Sequence, residues 1–209
     1  QSNDFNVDGT LRPGLPVSTY RSNVQPGDVK YVDLNGDGRI DANDCAYQLY
    51  AALPQIYYGF NIELEWRGFG LNAYFQGMGR STVTTTLASI YQPLYGNERN
   101  ISEHYMENRW SPYNTSGHYP RLTTQSNANN FAPSSLWTEC GDFLKLRTLS
   151  LSYKLPARLA SKIRMRECCL YLKGMNLFSA DRIDILDPEY INTGYPSARS
   201  YQIGFNLIF

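Results

Sequence analysis

The final nine residues, Tyr201–Phe209, place apolar side chains at every second position, and polar residues or glycine lie between them up to Asn206. The apolar positions are Tyr201, Ile203, Phe205, Leu207 and Phe209, and the polar face carries Gln202, Gly204 and Asn206. This period predicts a β-strand with one face against an apolar environment and the other against water. A soluble sheet that covers a core has this pattern, and so does a membrane barrel strand whose apolar side faces lipid.

Further segments repeat the alternating pattern and decide between soluble sheet and barrel. They are Ile56–Trp66, Phe69–Gln76, Phe143–Tyr153 and Cys168–Leu177. The first two are separated only by Arg67-Gly68, which predicts a β-hairpin. Within the third, the leucines change phase near Thr148, which predicts either a β-bulge or a strand that extends beyond the apolar band.

Composition narrows the classes of protein. The 19 basic residues balance the 19 acidic ones, so overall charge gives no reason to expect nucleic acid as a partner. Aromatic residues make up 14% of the chain, including 17 tyrosines, which favours strands and membrane-interface belts. No apolar run approaches the ~20 residues of a membrane helix, so a membrane-spanning chain would have to cross with strands.

The connections between the predicted strands alternate between short and long. Short turns follow Trp66 and Tyr153, whereas the stretches 77–141 and 180–200 are long and poor in periodicity, apart from a short helix near Ser102–Arg109. Outer-membrane barrels have short periplasmic turns and long extracellular loops. The pattern therefore predicts an extracellular position for the long loops and a periplasmic carboxy terminus.

Five strands cannot close a membrane barrel, because open edges would leave backbone groups unpaired in lipid. The sequence thus predicts an all-β chain that supplies the carboxy-terminal strands of a large transmembrane antiparallel β-barrel. In this interpretation residues 1–56 form an extracellular loop, residues 57–209 form barrel strands with their loops, and the chain is a fragment or a processed product.

The segment Asp33–Asp44 has the spacing of a calcium-binding loop. Its predicted ligands are the side chains of Asp33, Asn35, Asp37, Asp41 and Asp44 and the carbonyl of Arg39. Gly38 stands where such a loop turns sharply, and Ile40 supplies the apolar anchor. The last position is Asp44 and not the usual bidentate Glu. We expect a structural Ca²⁺ and no organic cofactor; the alternative is an Asn/Asp/Gly-rich turn without metal.

Catalysis has little support in the sequence. Glu63 and Glu65 share a strand face, where lumen-facing polar residues are a simpler interpretation than a glycosidase pair. His104 and His118 lack a Ser or Cys partner, so we expect no enzyme. Three loop aromatics are candidates either for substrate contact or for packing. They are Trp110, Tyr113 and Tyr119.

An ordered set of short segments resembles the carboxy-terminal region of the SusC/RagA family of TonB-dependent outer-membrane transporters. The segments run from about residue 26 to the end of the chain. They are Pro26–Tyr31, Asp33–Asp44, Tyr58–Asn61, Phe75–Gly77, Arg109–Pro112, Tyr119–Leu122, Gly141–Arg147, Gly174–Phe178, Asp187–Glu189 and Gly194–Pro196.

The resemblance implies a parent barrel of roughly 22 strands with a plugged lumen. It implies as partners the rest of the barrel and its plug, a SusD-like surface lipoprotein, outer-membrane lipid, and TonB through an amino-terminal part not contained in this chain. The implied activity is active import of oligosaccharides or peptides across the bacterial outer membrane, and the substrate stays open between the two.

A secreted, calcium-stabilised β-sandwich that binds carbohydrate is the alternative. It has the same metal loop, alternating strands and aromatic content. It differs in predicting that the apolar face of every strand packs against a second sheet.

Overall fold

The computed structural model describes residues 4–20, 23–48, 50–183, 186–190 and 195–209. Gly194 of the family resemblance and parts of the 180–200 connection lie outside these ranges. The chain divides into two compact units, one of Gln1–Leu49 with Thr84–Glu139 and one of Tyr50–Val83 with Cys140–Phe209.

The strands are β1 (Val17–Ser18), β2 (Arg39–Ile40), β3 (Ile56–Trp66), β4 (Phe69–Gly79), β5 (Thr82–Thr84), β6 (Thr138–Cys140), β7 (Phe143–Lys154), β8 (Glu167–Asp181) and β9 (Ser200–Ile208). The helices that lie wholly within the described residues include α1 (Glu103–Asn108) and α2 (Ala157–Lys162), with 3-10 turns at Ala42–Asp44 and Tyr95–Asn97. A five-stranded antiparallel sheet of order β3-β4-β7-β8-β9 dominates the second unit. The described residues form two further sheets, each with two strands, β1-β2 and β5-β6.

The predicted strands are confirmed, with differences at their ends. β3 has the predicted bounds, β4 continues three residues further to Gly79, and β8 is longer at both ends. These extensions carry Gly, Ser and Ala, whose small side chains weaken the alternating signal although the backbone stays paired. The predicted short helix is confirmed as α1, and the Ser102 hydroxyl caps it by accepting a hydrogen bond from the Tyr105 N–H.

The turn predicted between β7 and β8 contains a helix, α2, which corrects the expectation of a simple turn. Pro156 precedes its first residue with a φ of −56°, which suits helix entry. Good helix formers follow it, and the Ala160 side chain is buried. Pro156 favours a turn in the sequence pattern, but it is equally suited to the start of a helix.

A bulge in β7 brings its leucines onto one face. Both pairings of β7 shift register between Leu146 and Thr148. Against β4, Arg147 is an extra residue on β7; against β8, the extra residue lies on β8, between Met175 and Phe178. Before the shift Leu146 pairs with Phe75, and after it Leu149 pairs with Ala73. The two leucine phases of the sequence thus become one continuous apolar face.

Tyr58 and Gly77 are directly opposed on β3 and β4. The Tyr58 ring lies over the glycine and its hydroxyl donates a hydrogen bond of 2.9 Å to the Phe143 carbonyl of β7. The close approach requires a residue without a Cβ, since a Cβ at Gly77 would overlap both the Tyr58 ring and the Phe143 carbonyl oxygen. This contact ties three strands together at one height.

The first unit has an aromatic core. Tyr105 stacks on Tyr119 at 4.7 Å, Tyr119 lies 6.0 Å from Trp137, and Phe131 lies 5.4 Å from Trp137 between ring centroids. Burial raises the pKa of the Tyr105 hydroxyl, so this ring stays neutral.

A buried carboxylate, Asp28, joins the amino-terminal part of this unit to the long 77–141 connection. Its Oδ1 accepts hydrogen bonds from Arg121 Nε at 2.7 Å, Asn130 Nδ2 at 2.9 Å and Asn127 Nδ2 at 3.2 Å. Next to it, the Trp110 ring packs against Gly27. Buried charge requires such partners, and here they fix one arrangement of the two segments.

In the part of the chain that the structure describes, no helix has the length and apolar character needed to span a bilayer.

We expect Gly77→Ala to destabilise the protein, because the new methyl group has no room between Tyr58 and the Phe143 carbonyl. The expected loss is about 1–3 kcal/mol in the free energy of unfolding, measured by urea titration. Gly79→Ala is the matched control, since the nearest atom to its Cβ lies 3.8 Å away. Equal effects of the two substitutions would contradict the packing described.

Candidate functional site: a sheet with one apolar and one polar face

The register of the five-stranded sheet places the large apolar side chains on one face. Cross-strand rungs run through all of its strands. Two of them are Leu64-Leu71-Leu151-Leu172-Ile203 and Trp66-Phe69-Tyr153-Leu170-Phe205. Because side chains of paired residues project from the same side of a sheet, these rungs make a continuous apolar surface.

This apolar face is exposed. Trp66 keeps 67% of its surface accessible, Ile203 83% and Phe205 67%. A soluble sandwich buries such residues between its two sheets. An exposed, contiguous apolar surface of this kind marks contact with another apolar phase.

The opposite face of the sheet is polar. It carries small or hydrogen-bonding side chains at the positions that alternate with the apolar rungs. Among them are Asn61, Glu63, Asn72, Ser150, Ser152, Lys173 and Gln202. The strands therefore have the apolar-out, polar-in arrangement of a barrel wall, and Glu63 and Glu65 lie on its polar side as predicted.

A network of charges lies on this polar face. Lys145, on β7, is only 3% exposed, and its Nζ pairs with a carboxylate oxygen of Asp187 and, at 2.9 Å, with Glu189. Arg147 pairs with the other Glu189 oxygen. Ion pairs between two basic side chains of β7 and two acidic side chains of the segment before β9 thereby hold that segment against the strand.

Arg147, at the β7 bulge, links the two strands on either side of β7. Its Nε donates a hydrogen bond of 3.1 Å to Gln76 Oε1 on β4, and Nη1 donates one of 3.3 Å to Asn176 Oδ1 on β8. Asn176 is itself irregular, with a φ of +52°, and its Nδ2 donates to the Ala198 carbonyl at 3.1 Å. Irregularities in β7 and β8 thus occur at the same height and are linked by one guanidinium.

Asp187 remains ionised far into the acid range. Burial alone favours its neutral form, but hydrogen bonds from Lys145 and from the N–H groups of Ser197 and Glu189 outweigh burial and lower its pKa to about 2. The sequence pattern did not predict this network. Its signal was present, since the segments Gly141–Arg147 and Asp187–Glu189 both belong to the family resemblance.

The predicted metal loop is closed by hydrogen bonds of its own residues. Asp33 accepts N–H bonds from Gly36 and Gly38, and Asp44 accepts them from Leu34 and Asp41, which joins the two ends of the loop. The N–H of Asp41 lowers the pKa of Asp44, so that carboxylate is charged.

The loop is also anchored and turns where expected. Gly38 has a φ of +79°, which favours glycine, and Ile40 is buried where β2 pairs with β1. Within the described ranges, no three His, Cys, Asp or Glu side chains are grouped so that they could hold a metal. The six predicted ligands, including Asn35, Asp37 and the Arg39 carbonyl, therefore stay a prediction.

The three candidate loop aromatics have different surroundings. Tyr113 is fully exposed, Trp110 is half-buried against Gly27, and Tyr119 is buried in the aromatic core. Their contact with substrate stays a prediction, and Tyr113 is the one whose ring is open to solvent.

No family model matches the chain. Two curated relatives from Formosa agariphila, both named TonB-dependent receptors, are 28% and 27% identical over 210 residues. The alignments cover 93% and 92% of this chain but only 21% and 20% of the relatives, so the chain spans about a fifth of their length.

Solved structures of RagAB share the fold. The RagAB peptide transporter superposes with a TM-score of 0.62 at 24% identity, covering 87% of this chain and 20% of the other. The RagAB peptide importer in its open-open state gives 0.61 at 23% identity, covering 82% and 19%. The resemblance to the SusC/RagA family is confirmed. The predicted all-β fold is confirmed and is shared with these RagAB structures.

We expect the Asp187 carboxylate to hold the segment before β9 only while it is ionised. Its pKa of about 2 lies below the unfolded value of about 3.9, so the contribution is complete above pH 4 and is lost as the pH falls toward 2. This contribution is measured by hydrogen exchange at the Ser197 amide, whose protection should fall as the pH drops from 4 to 2. At neutral pH, Asp187→Asn should lower the protection of this amide at least about tenfold.

Glu167→Gln is the control for this prediction, because Glu167 forms an exposed ion pair with Lys154. It should leave the exchange of Ser197 unchanged. Protection that persists in the Asp187→Asn variant would show that the ion network does not position the segment.

Proposed function

We propose that this chain supplies carboxy-terminal strands of the barrel of an outer-membrane TonB-dependent importer. The observation that carries the proposal is the exposed apolar face that continues across all five strands, opposite a polar face. Lipid acyl chains match the first face, and a water-filled or plugged lumen matches the second.

The edges of the sheet support a larger barrel. Among the described strands, β3 and β9 each pair with one neighbour only, and both are long. In lipid an unpaired edge would leave backbone groups without partners, so further strands are required on both sides. The RagAB similarity, which covers about a fifth of the solved chain, agrees with this proposal.

A charge on the apolar face tests the membrane orientation. Ile62 and Asn61 are neighbours in the middle of β3, and Ile62 lies on the apolar face while Asn61 lies on the polar one. We expect Ile62→Arg to cost about 2–4 kcal/mol of folding free energy in phospholipid vesicles, because the guanidinium would lie in the hydrocarbon. Asn61→Arg should cost about 0.5 kcal/mol or less.

Folding of the full-length protein is followed by its heat-dependent shift on gels and by urea titration. Equal costs for the two variants would contradict a lipid-facing apolar side. The sandwich alternative makes the opposite prediction for this chain, since it would be folded and monodisperse in buffer without detergent.

For transport, the proposed cargo is an oligosaccharide or a peptide, delivered with a SusD-like surface lipoprotein and energised by TonB. RagAB is named a peptide importer, which favours a peptide over an oligosaccharide as the cargo. The test compares growth of a strain lacking the gene on defined oligosaccharides and on defined peptides as carbon sources. A defect on either, restored by the gene only when TonB is functional, supports import; normal growth and normal uptake of both cargo classes would refute it.

We further propose that the Asp33–Asp44 loop binds a structural Ca²⁺. Its donor set of carboxylate and amide oxygens suits a hard cation, and Asp44 closes the loop ends. A chelator should increase protease cleavage within the loop and leave the strands intact. Asp37→Asn should weaken calcium binding measured by calorimetry, and Asp8→Asn, outside the loop, should not. Protease cleavage of the loop that is the same with and without chelator would refute the proposed calcium binding.

A further inference from the structure

The two short connections of the five-stranded sheet, between β3 and β4 and between β7 and β8, lie at the same end of the sheet. The Lys154 N–H donates a 2.7 Å hydrogen bond to the Gly68 carbonyl, and the Arg166 N–H donates one of 2.7 Å to the Ile208 carbonyl. The β3–β4 turn, the β7–β8 connection and the last residues of β9 therefore meet at one end of the second unit.

This end is strongly basic, although the chain as a whole is neutral. Six cations surround it, and they are Arg67, Lys154, Arg158, Lys162, Arg164 and Arg166. Only Glu65 and Glu167 lie nearby as acidic residues in sequence. Of the ion pairs formed by described residues, only that between Lys154 and Glu167 involves this group. We call these six residues the basic collar.

Helix α2 and the residue after it carry two parallel rows. Leu159 and Ile163 are four residues apart, and about half of each side chain is exposed. Arg158 and Lys162 form the adjacent row with the same spacing, and both are exposed. Residues four apart lie on one side of a helix, so an apolar row runs beside a basic row, with Ala160 buried beneath.

The collar adjoins the apolar face. The rung nearest this end, Trp66-Phe69-Tyr153-Leu170-Phe205, has four aromatic residues. Aromatic rings at the margin of an apolar face favour the boundary between acyl chains and headgroups. The Arg67 guanidinium lies 5.0 Å from the centre of the Trp66 ring, so collar and aromatic rung are in contact.

We propose that the basic collar and α2 bind the headgroups of anionic phospholipids in the leaflet at this end of the barrel. The inference rests on the proposed membrane location. Leu159 and Ile163 enter the interface beside the aromatic rung, and the cations lie at the level of the phosphates. Attraction to an anionic surface accumulates with each Lys or Arg held close to it. The partner is phospholipid because charge and apolar surface are adjacent, as in interfacial helices.

The test measures lipid selection by the full-length protein. It is reconstituted in nanodiscs of phosphatidylcholine with phosphatidylglycerol, transferred to mild detergent, and the retained lipids are counted by native mass spectrometry. Phosphatidylglycerol should be enriched over phosphatidylcholine. Arg158→Gln with Lys162→Gln should lower that preference about tenfold, and high salt should lower it further.

Two controls separate charge from fold. Arg158→Lys with Lys162→Arg keeps the charges and should keep the preference. Arg182→Gln with Arg199→Gln removes two exposed cations beside the other ends of β8 and β9 and should also keep it. The proposed lipid binding by the basic collar would be refuted if phosphatidylglycerol stayed enriched in the Arg158→Gln/Lys162→Gln variant. It would also be refuted if the unmodified protein showed no enrichment. Failure to insert into nanodiscs at all would instead refute the proposed membrane location.

Discussion

The structure depends on a sheet whose backbone is fully paired inside and whose two faces differ in polarity. Hydrogen bonds across β3, β4, β7, β8 and β9 pair the backbone groups in the interior of the sheet. The register of these pairings then determines that the apolar side chains lie on one face. A slip of one residue would exchange the faces. The bulge at Arg147 prevents such an exchange halfway along β7, since it brings Leu146 and Leu149 to the same side.

The segments that resemble the transporter family contact one another in pairs. Tyr58 covers Gly77 within the sheet, and Lys145 pairs with Asp187 on its polar face. In the first unit, Asp28 pairs with Arg121 and Gly27 receives the Trp110 ring. Each pair joins residues distant in sequence, so the family motifs act mainly as fixed contacts between strands and the loops beside them.

The strands were predictable because alternation is a local signal, and the hairpin because Arg67-Gly68 leaves room for no other connection. Arg67 and Gly68 both have positive φ, as a tight hairpin turn requires. Helix α2 was missed because Pro156 was interpreted as part of a turn, although proline also suits the entry to a helix. The ion network was missed because the sequence does not show that the 186–190 segment lies against β7. Sequence spacing places six oxygen groups in one loop, but their convergence on an ion depends on backbone geometry that spacing does not determine.

The most direct test places a nitroxide label at each position from 201 to 208 in the full-length protein in bilayers, one at a time. Collision with oxygen, which concentrates in lipid, and with a water-soluble nickel complex is then measured by electron paramagnetic resonance. The account predicts a period of two, with oxygen dominating at Tyr201, Ile203, Phe205 and Leu207 and nickel dominating at the residues between them. Equal accessibility on both faces, or protection of the odd positions from both reagents, would contradict it.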